Sequence, residues 1–126
     1  MNYSKQRELI LDAVSQTHEH PTAEMIYRGI KAEYPRLSLA TVYRNLNQLC
    51  EAGTIRRLRL TDSPDRFDCN TAPHCHLCCS RCGRVIDVDV PVEWENLTAR
   101  QLDGCRIDRC EVNFYGLCDE CAERDN

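Results

Sequence analysis

Two Cys-x-x-Cys pairs, Cys79-Ser80-Arg81-Cys82 and Cys118-Asp119-Glu120-Cys121, constrain this chain more than any other feature. Tetrahedral Zn(II) takes four thiolates, and a two-residue spacer brings both sulfurs of a pair to one side of the ion. Small domains bury a modest share of their surface, so a bound metal is a natural second source of stability in a chain of 126 residues. The alternative is a set of thiols buried as small apolar side chains. The flanking Ser80, Arg81, Asp119 and Glu120 argue against an apolar surrounding. Cys75 and Cys78 form a rival pair in an overlapping register, but Gly83 follows Cys82 and suits the tight turn of a metal knuckle. The expectation is structural Zn(II) on Cys79, Cys82, Cys118 and Cys121. Cys50, Cys69, Cys105 and Cys110 lack paired spacing, and Cys50 is expected in or near a helix core.

Reading paired cysteines as ligands rather than disulfides supposes a reducing compartment. Residues 1–11 carry Lys5, Arg7 and Glu8 and no apolar segment, so no signal peptide is expected. No stretch has the length to span a bilayer. The expectation is a cytoplasmic protein without a membrane partner.

The net charge of −4 is unevenly spread. Residues 1–60 carry nine Lys and Arg against six Asp and Glu, whereas residues 61–126 carry seven against fourteen. A basic half suits nucleic acid, and the acidic half serves another purpose.

The basic half reads as three helices and a hairpin. Ser4–Ser15 places Leu9, Ile10, Ala13 and Val14 on one face, with Ser4 as N-cap. Thr22 caps a second helix, with Met25, Ile26 and Ile30 on its buried side and Pro35 ending it. Ser38 caps a third, where Val42, Leu46 and Leu49 recur at helical spacing and Gly53 suits the C′ position. Ile55–Leu60 and Arg66–Cys69 read as strands around the turn Asp62-Ser63-Pro64-Asp65. This is the element order of a winged helix. If the apolar stripe of the third helix faces the core, Thr41, Tyr43, Arg44, Asn47 and Gln48 face outward. Such side chains read base edges and phosphates, although an ordinary solvated helix also carries them. The adjacent Arg56 and Arg57 add phosphate partners.

The acidic half reads as a strand over Arg84–Val90, a helix over Val92–Leu102, and one or two strands over Cys105–Tyr115. Two of the four histidines bracket one residue, His74-Cys75-His76. In an extended segment residues i and i+2 point the same way, so both imidazoles can reach one ion. Asp68 and Asp87 flank them, each beside an expected strand. Mixed imidazole and carboxylate donors suit Fe(II), Mn(II) or Zn(II), the plain alternative being a surface pair of histidines.

Several segments together resemble the ferric uptake regulator family over nearly the whole chain. They are His20-Pro21-Thr22-Ala23-Glu24, Ala40-Thr41-Val42-Tyr43-Arg44-Asn45-Leu46, Arg66-Phe67-Asp68, His74-x-His76-x-x-Cys79-x-x-Cys82-Gly83 and Tyr115-Gly116-Leu117-Cys118-x-x-Cys121. The resemblance implies a homodimeric metalloregulator with a winged helix ahead of a dimerisation domain. It is strongest to the peroxide-sensing branch, whose regulatory Fe(II) or Mn(II) ligands fall on His20, Asp68, His74, His76 and Asp87. Iron-sensing members tend to carry glutamate at the carboxylate positions. Ser4-Lys5-Gln6-Arg7 stands where the family has Thr-Pro-Gln-Arg, so the family's first helix is expected to be missing. Cys75 and Cys78 depart from the family pattern.

The resulting expectation is an α+β chain. Residues 1–69 form a winged-helix DNA-binding domain, 70–73 a hinge, and 74–126 a zinc-stabilised α/β dimerisation domain. Its function is a metal-dependent repressor on a double-stranded DNA operator, released by peroxide through oxidation of histidine ligands. The rivals are an uptake repressor that reports iron or zinc level, and a thiol-based redox protein. No nucleophile sits beside a general base in a recognisable motif and no cofactor loop is present, so no enzyme is expected.

Overall fold

Side-chain capping sets where the first three helices begin. The computed structural model describes every residue except 1, 18, 92, 94–100, 103, 109, 125 and 126. Helix α1 spans Tyr3–Ser15, and its N-cap is Asn2, whose Oδ1 accepts the Lys5 N–H at 2.9 Å. Ser4, expected as the cap, lies within the first turn. Asn and Ser cap about equally well, and Asn2 stands earlier in the chain. Thr22 caps α2 (Ala23–Ile30) and Ser38 caps α3 (Leu39–Glu51). α2 ends at Ile30, well before Pro35. Its buried residues are Ala23, Ile26 and Ile30, spaced three and four apart. Met25, expected among them, is rotated one residue off this stripe and is exposed. The C-terminus of α3 closes as a Schellman turn: Gly53 N–H meets Cys50 O, Thr54 N–H meets Leu49 O, and Gly53 has φ +75°.

The chain divides into two compact units, Met1–Thr71 and Ala72–Asn126. In the first, the helices precede a two-stranded antiparallel hairpin, β1 (Arg56–Leu58) and β2 (Arg66–Asp68). This is the winged-helix order. Its core gathers Ile10, Val14, Ile26, Ile30, Val42, Leu46, Leu49, Ile55 and Phe67.

The second unit is built on β3 (Cys75–Cys79), which pairs antiparallel with β4 (Val85–Val88) and parallel with β7 (Asn113–Gly116). Strands β5 (Gln101–Leu102) and β6 (Cys105–Arg106) form a separate antiparallel pair. Helix α4 (Asp119–Arg124) follows β7. It was not anticipated, though Asp119 and Glu120 in its first turn are the acidic residues a helix N-terminus favours. Most of the helix expected over Val92–Leu102 lies outside the described residues, and its last two residues belong to strand β5. Among the described residues, no helix is long and apolar enough to cross a membrane.

Candidate functional site

The β3–β4 hairpin builds two sets of donors in the second unit. Its turn is the first cysteine knuckle: Gly83 N–H bonds Cys79 O at 3.0 Å, Cys79 N–H bonds Arg84 O at 2.8 Å, and Gly83 sits at φ +78°. An L side chain rarely adopts that conformation. The second knuckle, Cys118 to Cys121, carries β7 into α4. The sulfurs of Cys79, Cys82, Cys118 and Cys121 all lie within 4.8 Å of one another. Cys82 Sγ is 3.8 Å from Cys118 Sγ. Four sulfurs at about 2.3 Å from a tetrahedral ion stand about 3.8 Å apart, so the set fits a four-thiolate metal. Cys78 is not among them. It neighbours Cys79 on a strand, so their side chains leave opposite faces of the sheet.

The thiols also differ in acidity. The Cys82 N–H, 3.5 Å from Cys79 Sγ, and the Cys118 N–H hold the Cys79 thiol down to about 5. Burial, then neighbouring thiols, pushes Cys121 up to about 12. A thiolate therefore stands ready for a cation, and binding must displace the Cys121 proton. Arg84 contacts Asp119 and Glu120, both at 3.4 Å, across the two knuckles.

Away from the turn, the same hairpin holds the histidines. The register places Asp87 directly opposite His76, and the two-residue side-chain period puts His74 on the same face. His74 Nε2 is 3.1 Å and His76 Nε2 3.2 Å from the same Asp87 oxygen. Donors about 2.1 Å from one ion and at right angles lie about 3.0 Å apart, so each imidazole stands at a co-ligand's distance from the Asp87 oxygen. His74 Nδ1 is 2.6 Å from Ala72 O. With its proton donated there, Nε2 is the ring nitrogen that can bind a cation beside Asp87. Ala72 was not singled out from the sequence; its contact is fixed by local backbone geometry.

The first unit holds the other two residues of the expected set. His20 is buried, and its Nδ1 is 3.6 Å from Asp68 Oδ2. Asp68 Oδ1 accepts the Asn70 N–H at 2.9 Å, leaving Oδ2 toward the imidazole. Phe67 N–H bonds Pro21 O at 3.0 Å and Arg66 Nη1 bonds Glu19 O at 3.4 Å, so β2 clamps the backbone on both sides of His20. His20 has φ +52°. Such strain in a non-glycine residue is retained where the surroundings over-determine it, and it clusters at functional sites.

On α3, Tyr43, Arg44, Asn47 and Gln48 are exposed and Thr41 is half-buried, opposite the buried Val42, Leu46 and Leu49. Several of these side chains are engaged within the unit. Tyr43 donates to Glu24 at 3.0 Å, Arg44 to Gln6 at 3.3 Å, and Arg7 to Gln48 at 2.6 Å. Arg57 of β1 donates to Asn47 and pairs with Asp65 at 3.6 Å. Arg56 lies beside it, half-buried.

The sequence pattern of the Ferric uptake regulator family matches residues 1–115. The chain belongs to the ferric uptake regulator family. It is 36% identical over 123 residues to the peroxide operon regulator of Bacillus subtilis, covering 96% of this chain and 84% of that protein. It is also 36% identical to the peroxide-responsive repressor PerR of Staphylococcus epidermidis, covering 96% and 81%. Among solved structures it is similar to the Campylobacter jejuni peroxide stress regulator, with TM-score 0.75, 31% identity and coverage of 94% and 90%. It is similar also to the Helicobacter pylori ferric uptake regulator Fur, with TM-score 0.78, 26% identity and coverage of 100% and 85%. Members of the ferric uptake regulator family are transcriptional regulators that bind DNA and metals, and they are not enzymes.

Proposed function

We propose that the chain is a metal-dependent transcriptional repressor whose regulatory Fe(II) or Mn(II) is held by His20, Asp68, His74, His76 and Asp87. The observation that carries this reading is that each unit holds a ready group of donors: buried His20 with Asp68 in one, and His74 and His76 converging on Asp87 in the other. Three nitrogens and two carboxylates leave one position open on an octahedral ion. A shared ion ties the two units at a fixed angle, with residues 70–73 as the hinge. Such a ligand shifts the equilibrium toward the DNA-binding shape only by its preference for that shape. Structural Zn(II) on the four cysteines stabilises the second unit, through which two copies of the chain form a homodimer on a double-stranded operator. Thr41, Tyr43, Arg44 and Asn47 touch DNA, and Arg56 and Arg57 contact phosphate.

The relatives named for peroxide response favour peroxide as the signal. Fe(II) held by these residues would activate peroxide beside the imidazoles, chemistry that Mn(II) would not supply. One oxygen atom is added to the ring carbon of a histidine, and peroxide leaves as water. The modified ring no longer offers the same donor, so the two units separate from the DNA-binding arrangement. The test is His20→Ala: it keeps zinc and the dimer but loses metal-dependent operator binding. Unchanged Mn(II)-dependent binding by that variant removes His20 from the regulatory site.

A further inference from the structure

We propose that the first turn of α1 is a positioning device for the reading arginine of α3, with Tyr3 and Gln6 holding Arg44 in its DNA-facing rotamer. The proposal rests on the reading of α3 as the recognition helix. Tyr3, Gln6 and Arg7 stand three and four residues apart, so they form one stripe on α1. Arg44 and Gln48 form the matching stripe on α3. The two stripes meet. The Arg44 guanidinium lies over the Tyr3 ring, 5.1 Å from its centroid, and its Nη2 donates to Gln6 Oε1 at 3.3 Å. One turn along, Arg7 donates to Gln48 Oε1 at 2.6 Å.

These contacts restrain a side chain that otherwise loses much rotamer freedom on docking. They leave it able to read a base. A guanidinium has five N–H donors, and Gln6 takes one. The Tyr3 ring is a cation–π partner and accepts no conventional hydrogen bond from the guanidinium, so N–H donors remain for a bidentate contact. Tyr3 is 69% exposed, so it does not serve the core. The Asn2 cap holds the turn that carries it: Asn2 accepts Lys5 N–H through its side chain and Gln6 N–H through its carbonyl. Tyr3 and Gln6 therefore act on sequence discrimination through Arg44, without touching a base themselves.

The test uses the whole 126-residue chain, zinc-loaded and Mn(II)-bound. The probes are a duplex selected by the unmodified protein from a random pool and a shuffled duplex of the same composition. Tyr3→Leu is expected to weaken binding to the selected duplex by about two- to fivefold, and Tyr3→Leu with Gln6→Ala by about tenfold. Tyr3→Phe restores binding, since the ring face is what the arginine uses. Binding to the shuffled duplex, zinc content and melting temperature stay unchanged. In an Arg44→Ala background Tyr3→Leu has no further effect, which a merely structural role does not predict. If Tyr3→Leu weakens both duplexes equally, or adds its full loss in the Arg44→Ala background, the proposal is overturned. If Arg44→Ala itself leaves selected-duplex binding intact, the recognition-helix reading fails first.

Discussion

Replacing Cys79 with Ser removes one of four sulfurs that lie within 4.8 Å of one another. The whole set is worth about 10–16 kcal/mol in small zinc-folded peptides, so one ligand in four carries about 2.5–4 kcal/mol. That is a loss of about two to three orders of magnitude in zinc affinity. The second unit spans Ala72–Asn126. At about 0.05–0.15 kcal/mol per residue, a unit of that length has a total stability of only about 3–8 kcal/mol. Cys79→Ser should therefore both lose zinc to a moderate chelator and lose cooperative melting of this unit. Cys78 cannot take over, because adjacent strand residues leave opposite faces of the sheet. Cys78→Ser and Cys75→Ser should keep zinc at one ion per chain. The assay is elemental analysis after dialysis against chelator, with thermal melting by circular dichroism. Retention of zinc by Cys79→Ser alongside its loss in Cys75→Ser or Cys78→Ser refutes the assigned set.

Arg44→Ala should leave zinc content and melting unchanged but weaken operator binding by about 1–3 kcal/mol, whereas Arg56→Ala or Arg57→Ala should chiefly lower the salt slope, by about one each; titrations at several salt concentrations separate the two behaviours. Leu46→Ala, at a fully buried position of α3, should cost about 2–5 kcal/mol, read as a drop in the melting temperature of the first unit with zinc content intact. For the metal-free four-cysteine set, Cys121 is held protonated up to about 12 and Cys79 is deprotonated down to about 5. Zinc binding must displace at least the Cys121 proton, so apparent affinity should rise at least about tenfold per pH unit between pH 6 and 8; a flat profile in a competition titration contradicts that order of acidities.

Much of the site was legible because its signals are local. Val42, Leu46 and Leu49, capped by Ser38 and closed by Gly53, specify α3 with no help from the rest of the chain. Gly83 separates the two cysteine registers because only one of them ends at a left-handed turn. The His74-x-His76 alternation follows from β3 being extended. What escaped depends on contacts between distant residues. The strand register that sets Asp87 opposite His76 is a tertiary fact, as is the β2 clamp that holds His20 at positive φ. The bonds from Arg44 to Gln6 and from Arg7 to Gln48 span 38 and 41 residues. Met25 and Ser4 were misplaced for a simpler reason: a one-residue rotation or an earlier cap leaves composition and spacing nearly unchanged.

In the proposed mechanism peroxide acts through the histidine ligands of a regulatory iron. Operator binding by the zinc-loaded protein, with Mn(II) and with Fe(II), before and after a low dose of peroxide, tests it most directly. Mass spectrometry of the peptides carrying His20, His74 and His76 is done on the same samples. The Fe(II) form should release DNA in step with the gain of one oxygen atom on a histidine, and the Mn(II) form should hold DNA with its histidines unmodified. Equal release of DNA by both metal forms points instead to thiol oxidation, and release by neither makes the protein a reporter of metal supply; either result contradicts the mechanism.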